Sequence, residues 1–299
     1  MKASLKFSVV TPSYQQGRFI DKTIQSVLSQ SYENFEYIIF DAKSDDETID
    51  ILKAYEDKID WISENDDGQA DAVNKGILKA TGDVICWLNS DDVYEADAFR
   101  QVAKYFEDNP DMDIVYGRGY HIDTNNNFIN EYPTTAFDAN FLKENCFICQ
   151  PALFFRKCVI EKIGLLDKSL YYCMDYEFWL RAADKGLKFG YLEEVLAHSR
   201  LYKDNKTLRN RQAVHKEIVQ MFLKKFGKVP DRWILNYAHV CCYARADRKK
   251  ELFKFIVMLF LYTNAFSLYY NKNLNRYIFI QLKNYIFNFL RKDVKAKHK

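Results

Sequence analysis

The chain has 299 residues, 48% of them hydrophobic, and a formal net charge of +2. That composition supports a large core and excludes intrinsic disorder, and the near-neutral balance excludes a global nucleic-acid binder. The length accommodates one full α/β domain plus a smaller appendage.

The N-terminal Met-Lys-Ala-Ser-Leu-Lys runs straight into a strand-like segment, as expected of a chain with no signal peptide. Phe7–Val10 reads as a short strand ended by Thr11-Pro12-Ser13-Tyr14. Apolar residues at Ile20, Ile24, Val27 and Leu28 predict a helix over Ile20–Ser29. Phe35–Phe40 reads as a buried strand closed by Asp41, and Asp46–Tyr55 as a helix with acidic residues in its first turn. A third strand falls at Trp61 and Ile62, a helix at Gln69–Lys79, and a fourth strand at Val84–Leu88 that stops at Asn89-Ser90-Asp91-Asp92. Ala96–Phe106 is helical again.

This order predicts an α/β fold with a mostly parallel sheet covered by helices on both faces. Such sheets bind ligands beyond the carboxyl ends of their strands. The polar clusters Thr11–Tyr14, Asp41–Asp46 and Asn89–Asp92 all fall there.

The middle of the chain is less regular, with strands expected at Ile114–Tyr116 and Ala152–Phe155 and a helix around Tyr176–Ala183. The final third is helical, with expected helices at Gln212–Phe226, Glu251–Tyr270 and Arg276–Leu290. We therefore expect a catalytic domain over residues 1–210 and a helical, basic and aromatic region over 211–299. Arg245–Lys299 holds 13 Lys/Arg against 3 Asp/Glu, so an acidic body carries a basic tail. Phe255–Tyr270 has no charge, which together with its basic flanks suggests peripheral contact with the inner membrane; a helical appendage packed on the domain is the alternative. Seven cysteines with a single CxxC, Cys146 and Cys149, read as reduced thiols in a cytoplasmic setting, not as a zinc site.

A nucleotide diphosphate demands positive charge. A hard cation supplies it through one or two protein carboxylates, with phosphate oxygens and water completing its shell. Asn89-Ser90-Asp91-Asp92, just past a buried strand, offers such carboxylates; taken alone it reads more readily as a solvated, capping turn.

The context decides between these. The segment from Phe7 through FSVVTPSYQQGRFIDKTIQSVLSQSYENFEYIIFDAKSDDETIDIL resembles the opening of family 2 glycosyltransferases of GT-A fold. GQADAVNKGILKATGDVICWLNSDD resembles that family's next block, with its DXD-type motif, and is similar to bacterial members assigned to O-antigen and other surface-polysaccharide assembly. The resemblance spans about Lys6 to Leu201. It implies an inverting, metal-dependent transfer of sugar from a nucleotide-diphosphate donor, a UDP-sugar foremost, to a hydroxyl of a glycan or lipid-linked acceptor. By it, Thr11, Pro12 and Tyr14 line the nucleotide pocket and Asp41 accepts from the base. Where the family has Asp-Gly-Gly-Ser-Thr-Asp, this chain has Asp41-Ala42-Lys43-Ser44-Asp45-Asp46, which restricts the turn. Gln69 and Asn74 lie near the donor, Asp91 touches ribose or sugar, and Asp92 binds Mg²⁺ or Mn²⁺.

An acceptor hydroxyl also needs a base. Tyr172–Arg181 resembles the acceptor-side segment of the family, with Met174 where a Glu often stands and Asp175 at the base position; Glu177 is the substitute. Gln150 is expected beside the acceptor, and His198 is expected to contact metal or phosphate. Two other readings compete: a sugar nucleotidyltransferase, disfavoured because Thr11–Arg18 contains only Gly17, and a non-catalytic scaffold, disfavoured by retention of the acidic residues.

Overall fold

The computed structural model describes residues 4–275, 277–280 and 283. The chain divides between Asn205 and Lys206 into two compact units. In the first, the elements in chain order are β1 (Phe7–Ser13), α1 (Gly17–Leu28), β2 (Phe35–Asp41), α2 (Thr48–Ala54), β3 (Asp60–Ser63), α3 (Gln69–Lys79), β4 (Val84–Trp87), β5 (Val93–Tyr94) and α4 (Ala98–Asp108). They continue with β6 (Ile114–Ile122), β7 (Phe128–Glu131), α5 (Ala139–Glu144), a 3₁₀ turn at Gln150–Ala152, β8 (Leu153–Arg156), α6 (Cys158–Ile163), α7 (Met174–Asp184) and β9 (Phe189–Arg200).

The sheet runs β3-β2-β1-β4-β8-β6-β9-β5, with β7 paired to β6. Its β3-β2-β1-β4 block is parallel, and antiparallel pairings enter at β8. β1 is buried along all seven residues, as a central parallel strand covered on both faces must be. On one face Phe7 stacks on Phe99 of α4 at 5.1 Å and meets Phe154 of β8 edge-on. The same core takes in Ile20, Ile24 and Val27, the i, i+4, i+7 stripe of α1. α3 presses so close to β1 that a Cβ on Gly76 would sit 2.2 Å from Val10.

β9 is a twelve-residue strand that the sequence pattern conceals. Its pairing with β6 shifts register on either side of Arg118, which breaks the period-two alternation a strand would display.

The second unit contains α8 (Lys206–Arg209), α9 (Arg211–Phe226), α10 (Asp231–Tyr243) and α11 (Leu252–Asn271). α9 ends on Gly227 in the left-handed conformation, at φ 70°. α10 and α11 share a small core of Leu235, Ala238, Cys242, Phe255 and Leu259. The Asn271 side chain pairs with both the N–H and the C=O of Val229, at 3.0 and 2.8 Å. The helix expected at Arg276–Leu290 lies largely outside the described residues.

Candidate active site

The parallel strands bring Ser13, Asp41, Ser63 and Trp87 to one edge of the sheet, and register sets Asp41 directly between Ser13 and Ser63. β8 runs against β4, so the Gln150–Ala152 turn begins where β4 ends. β9 is parallel to β6 and delivers Arg200 to the same side.

Asp41 is 1% exposed. Its carboxylate accepts from the Ser44 N–H (2.9 Å), the Ser44 hydroxyl (2.5 Å) and the Ser63 hydroxyl (2.7 Å). The turn built with glycines in the family is made here with Lys43 at φ 54°, a conformation strained for a side chain of that kind. The next loop is stitched to it: the N–H groups of Gln15, Gln16 and Gly17 donate to Ser44, Thr48 and Asp46. Burial opposes ionisation of Asp46, but bonds from Thr48 and Gly17 outweigh it and hold its carboxyl below the ordinary range. Thr11 is fully buried and its hydroxyl pairs with that of Tyr37 at 3.1 Å, so this side chain faces the core, whereas Tyr14 is exposed. Pro12 is buried within β1.

Asn89 is the hub of the acidic cluster. Its amide oxygen accepts from Gln69 (2.8 Å) and from the Trp87 indole (2.9 Å), and its NH₂ donates to Asp92 (3.2 Å) and to Gln150 (2.8 Å). Gln150 in turn donates to the Trp87 carbonyl at 2.6 Å. Gln150, Trp87 and Asp175 also line one small cavity, walled by Leu166, Phe178 and Trp179. Asp175 thus shares a cavity with Gln150, which is bonded to Asn89, which in turn is bonded to Asp92. Asp41 ends a strand two places from β4, roughly 10 Å away at ordinary strand spacing.

Asp92 is buried and accepts from the Arg200 N–H at 2.8 Å; half-buried Asp91 accepts from the Tyr202 hydroxyl at 2.9 Å. Burial and the neighbouring Asp91 push the Asp92 carboxyl up to about 8, and burial raises Asp91 too. Arg200 is fully buried beneath the pair, its guanidinium 4.9 Å above the Phe19 ring. It donates to the carbonyls of Asp91 and Asp123, both at 2.7 Å, and Nη2 is buried with no hydrogen-bond partner. Two adjacent carboxylates held above their ordinary range are short of positive charge. That deficit fits a hard divalent cation, which takes one or two protein carboxylates. Among the described residues no three His, Cys, Asp or Glu side chains converge into a fuller cage.

Other candidates have structural partners. Asn74 clamps both the N–H and the C=O of Leu166 at 2.9 Å, which ties α3 to the cavity wall. Glu177 is buried in a two-pronged pair with Arg181, both bonds at 3.0 Å. His198 pairs through Nε2 with Glu95 at 2.7 Å and stacks on Tyr120. Tyr202, four residues on, contacts the acidic pair where the sequence reading placed His198. Asn89, Arg200 and Tyr202 were not singled out from sequence. Asn89 directly precedes the Ser-Asp-Asp triplet and could have been found; Arg200 ends a strand whose alternation is broken, and Tyr202 lies just beyond that strand.

The pattern described as glycosyl transferase family 2 matches residues 8–164, more than half of the chain. The chain belongs to this family. It is 26% identical over 244 residues to a glycosyltransferase of Methanocaldococcus jannaschii, covering 78% of this chain and 81% of that one. Among solved structures, Staphylococcus aureus TarS in complex with UDP-GlcNAc superposes with a TM-score of 0.60 at 15% identity, covering 88% of this chain and 84% of that one. The mannosyltransferase PcManGT of Pyrobaculum calidifontis, solved with GDP-Man and Mn²⁺, gives 0.61 at 14%, covering 89% and 87%. The fold is GT-A, with a helical C-terminal part, and the protein is a glycosyltransferase.

Proposed function

We propose that the chain is an inverting transferase that moves a sugar from a nucleotide-diphosphate donor, a UDP-sugar, to an acceptor hydroxyl during assembly of a bacterial surface polysaccharide such as O-antigen or capsule. One observation carries this: the continuous link from Asp175 through the Gln150 cavity and Asn89 to a charge-deficient Asp91–Asp92 pair. The pathway rests on the likeness of the two N-terminal blocks to O-antigen enzymes.

In this reading Asp92 holds Mg²⁺ or Mn²⁺, which supplies Lewis-acid stabilisation of the departing diphosphate. PcManGT, solved with Mn²⁺, supports the metal, and TarS, solved with UDP-GlcNAc, supports the donor class. Asp91 meets the donor ribose or sugar. Thr11, Pro12, Tyr14 and Asp41 shape the base pocket, Thr11 through the backbone because its hydroxyl is engaged. Gln69 orients Asn89, and Asn74 fixes the wall behind the donor. Asp175, in the first turn of α7, takes the proton of the acceptor hydroxyl as that oxygen bonds the anomeric carbon and the bond to diphosphate breaks on the opposite face. Gln150 positions the acceptor. Residues 1–210 form the catalytic domain. The helical region 211–299 holds the protein on the cytoplasmic face of the inner membrane, near a lipid-linked acceptor.

A thermal-shift screen of nucleotide sugars with and without Mn²⁺ tests the assignment. One UDP-sugar should stabilise the protein in a Mn²⁺-dependent way, and Asp92→Ala should abolish that dependence. Asp175→Ala should retain the shift and lose transfer by about 10²- to 10⁴-fold. Loss of donor binding in Asp175→Ala, or transfer at the normal rate, would remove the base assignment.

A further inference from the structure

α11 is built inside out. Its protein-facing side carries Phe255 and Leu259 but then Thr263 and Ser267, both fully buried. The Thr263 hydroxyl is buried without a hydrogen-bond partner, and that of Ser267 donates to Asn273 at 3.3 Å. The outward side carries Phe253, Val257, Leu261 and Ala265 at strict i, i+4 spacing, followed by Leu268 and Tyr269. Phe253 is 83% exposed, Leu261 58% and Tyr269 70%. A helix facing water buries its apolar stripe and shows its polar one. From Thr263 on this helix does the reverse, and its exposed apolar stripe runs along most of its 20 residues, about 30 Å of axis.

The charges around the stripe identify its surroundings. Arg245, Arg248, Lys249 and Lys250 are exposed just before α11, Lys254 is exposed in its first turn, and Lys272 and Lys283 are exposed beyond its end. A protein partner would need acidic groups bordering an apolar groove at both ends, whereas an anionic bilayer offers both features along its whole surface. Basic residues at both ends also argue against a span, because a spanning helix places its excess Lys/Arg on one side.

We infer that α11 lies in the plane of an anionic membrane surface, with the Phe253–Val257–Leu261–Ala265 stripe seated at the headgroup–acyl boundary and the flanking Lys and Arg on lipid phosphates. This rests on the membrane-side placement proposed above and names the surface that makes the contact. The transfer chemistry can fail without affecting it.

Flotation of the full-length chain tests it, with vesicles of phosphatidylglycerol plus phosphatidylethanolamine and, separately, of phosphatidylcholine alone. The protein should float with the first and not the second. Val257→Glu/Leu261→Glu should lower partitioning about a hundredfold or more. Both positions are at the surface, and circular dichroism should be unchanged. Lys249→Gln/Lys250→Gln should weaken binding roughly fivefold for each residue, most clearly at low salt. Alkaline carbonate should release the wild type. Retention after carbonate would mean a span, and undiminished binding by the Glu variant would place the contact elsewhere. A wild type that ignores anionic vesicles, or forms a dimer that the Glu variant dissociates, would show that another part of the chain or a second copy covers the stripe. Each of these results overturns the inference. Donor-dependent thermal shifts, run on the same variants, should stay at the wild-type value, so a failed membrane assay is distinguishable from a failed transferase assignment.

Discussion

Two carboxylate sites on one sheet edge have been treated differently. Asp41 receives three neutral donors, two from Ser44 in the turn that follows it and one from Ser63 on the neighbouring strand. Asp91 and Asp92 are adjacent, repel each other, and share buried Arg200, whose guanidinium donates to the backbone carbonyls of Asp91 and Asp123 and not to either carboxylate. The first site is complete as folded. The second is left with negative charge to be neutralised, and that is where a cation and a diphosphate have something to contribute. Satisfied polar groups hold a site in shape; under-compensated ones mark where the ligand belongs.

The largest expected effect on stability tests the role of Arg200. Replacing it with Met strips donors from the Asp91 and Asp123 carbonyls and leaves buried Asp92 and half-buried Asp91 without a cation, a loss of about 3 to 5 kcal/mol by urea denaturation. Added Mn²⁺ should recover part of that loss if the pair is a cation site. A loss under about 1 kcal/mol, or no recovery, would erase the contrast with Asp41. Asp41→Ala comes next. It deprives three donors of their acceptor, for about 2 to 3 kcal/mol, and Mn²⁺ should recover none of it. Recovery by Mn²⁺ would mean that Asp41 belongs to the cation site.

How much of this was legible in the sequence follows the same division. The parallel block was readable because its strands carry apolar runs, Tyr37–Phe40 and Val84–Trp87 among them, each followed by a polar cluster. α3 was readable to the residue, since Gly68 opens it at φ 105° and the helix begins at Gln69. In the far half β6 and β8 were readable at Ile114–Tyr116 and Ala152–Phe155, but β9 was not, because the register shifts around Arg118 destroy its alternation. That is why Arg200 and Tyr202 escaped notice while His198, the residue type that suggests a ligand, drew it. α10 was not among the expected helices, although Pro230 caps it and it begins at Asp231. The roles of Asn74 and Glu177 depend on partners such as Leu166 and Arg181, and no residue identity alone announces a clamp on a backbone 92 positions away.

The smallest effect has an unusual sign. A carboxyl whose pKa is raised on folding binds more protons in the native chain than in the unfolded one, so stability falls as pH rises between the two values. For Asp92 that window runs from the ordinary carboxylate range to about 8. Asp92→Asn removes the buried charge and keeps an oxygen for the Arg200 N–H; it forfeits only the 3.2 Å contact from Asn89. Without divalent ions the variant should therefore be more stable than wild type at pH 8, by about 1 to 2 kcal/mol, and indistinguishable or slightly weaker near pH 4. Mn²⁺ with the nucleotide should invert the order at pH 8, because only the wild type has the carboxylate to bind them. Denaturation of both proteins at the two pH values, with and without Mn²⁺ and UDP, reads all of this in one series. A variant that is less stable at both pH values would mean that the Asp92 charge is already compensated by the fold, as that of Asp41 is.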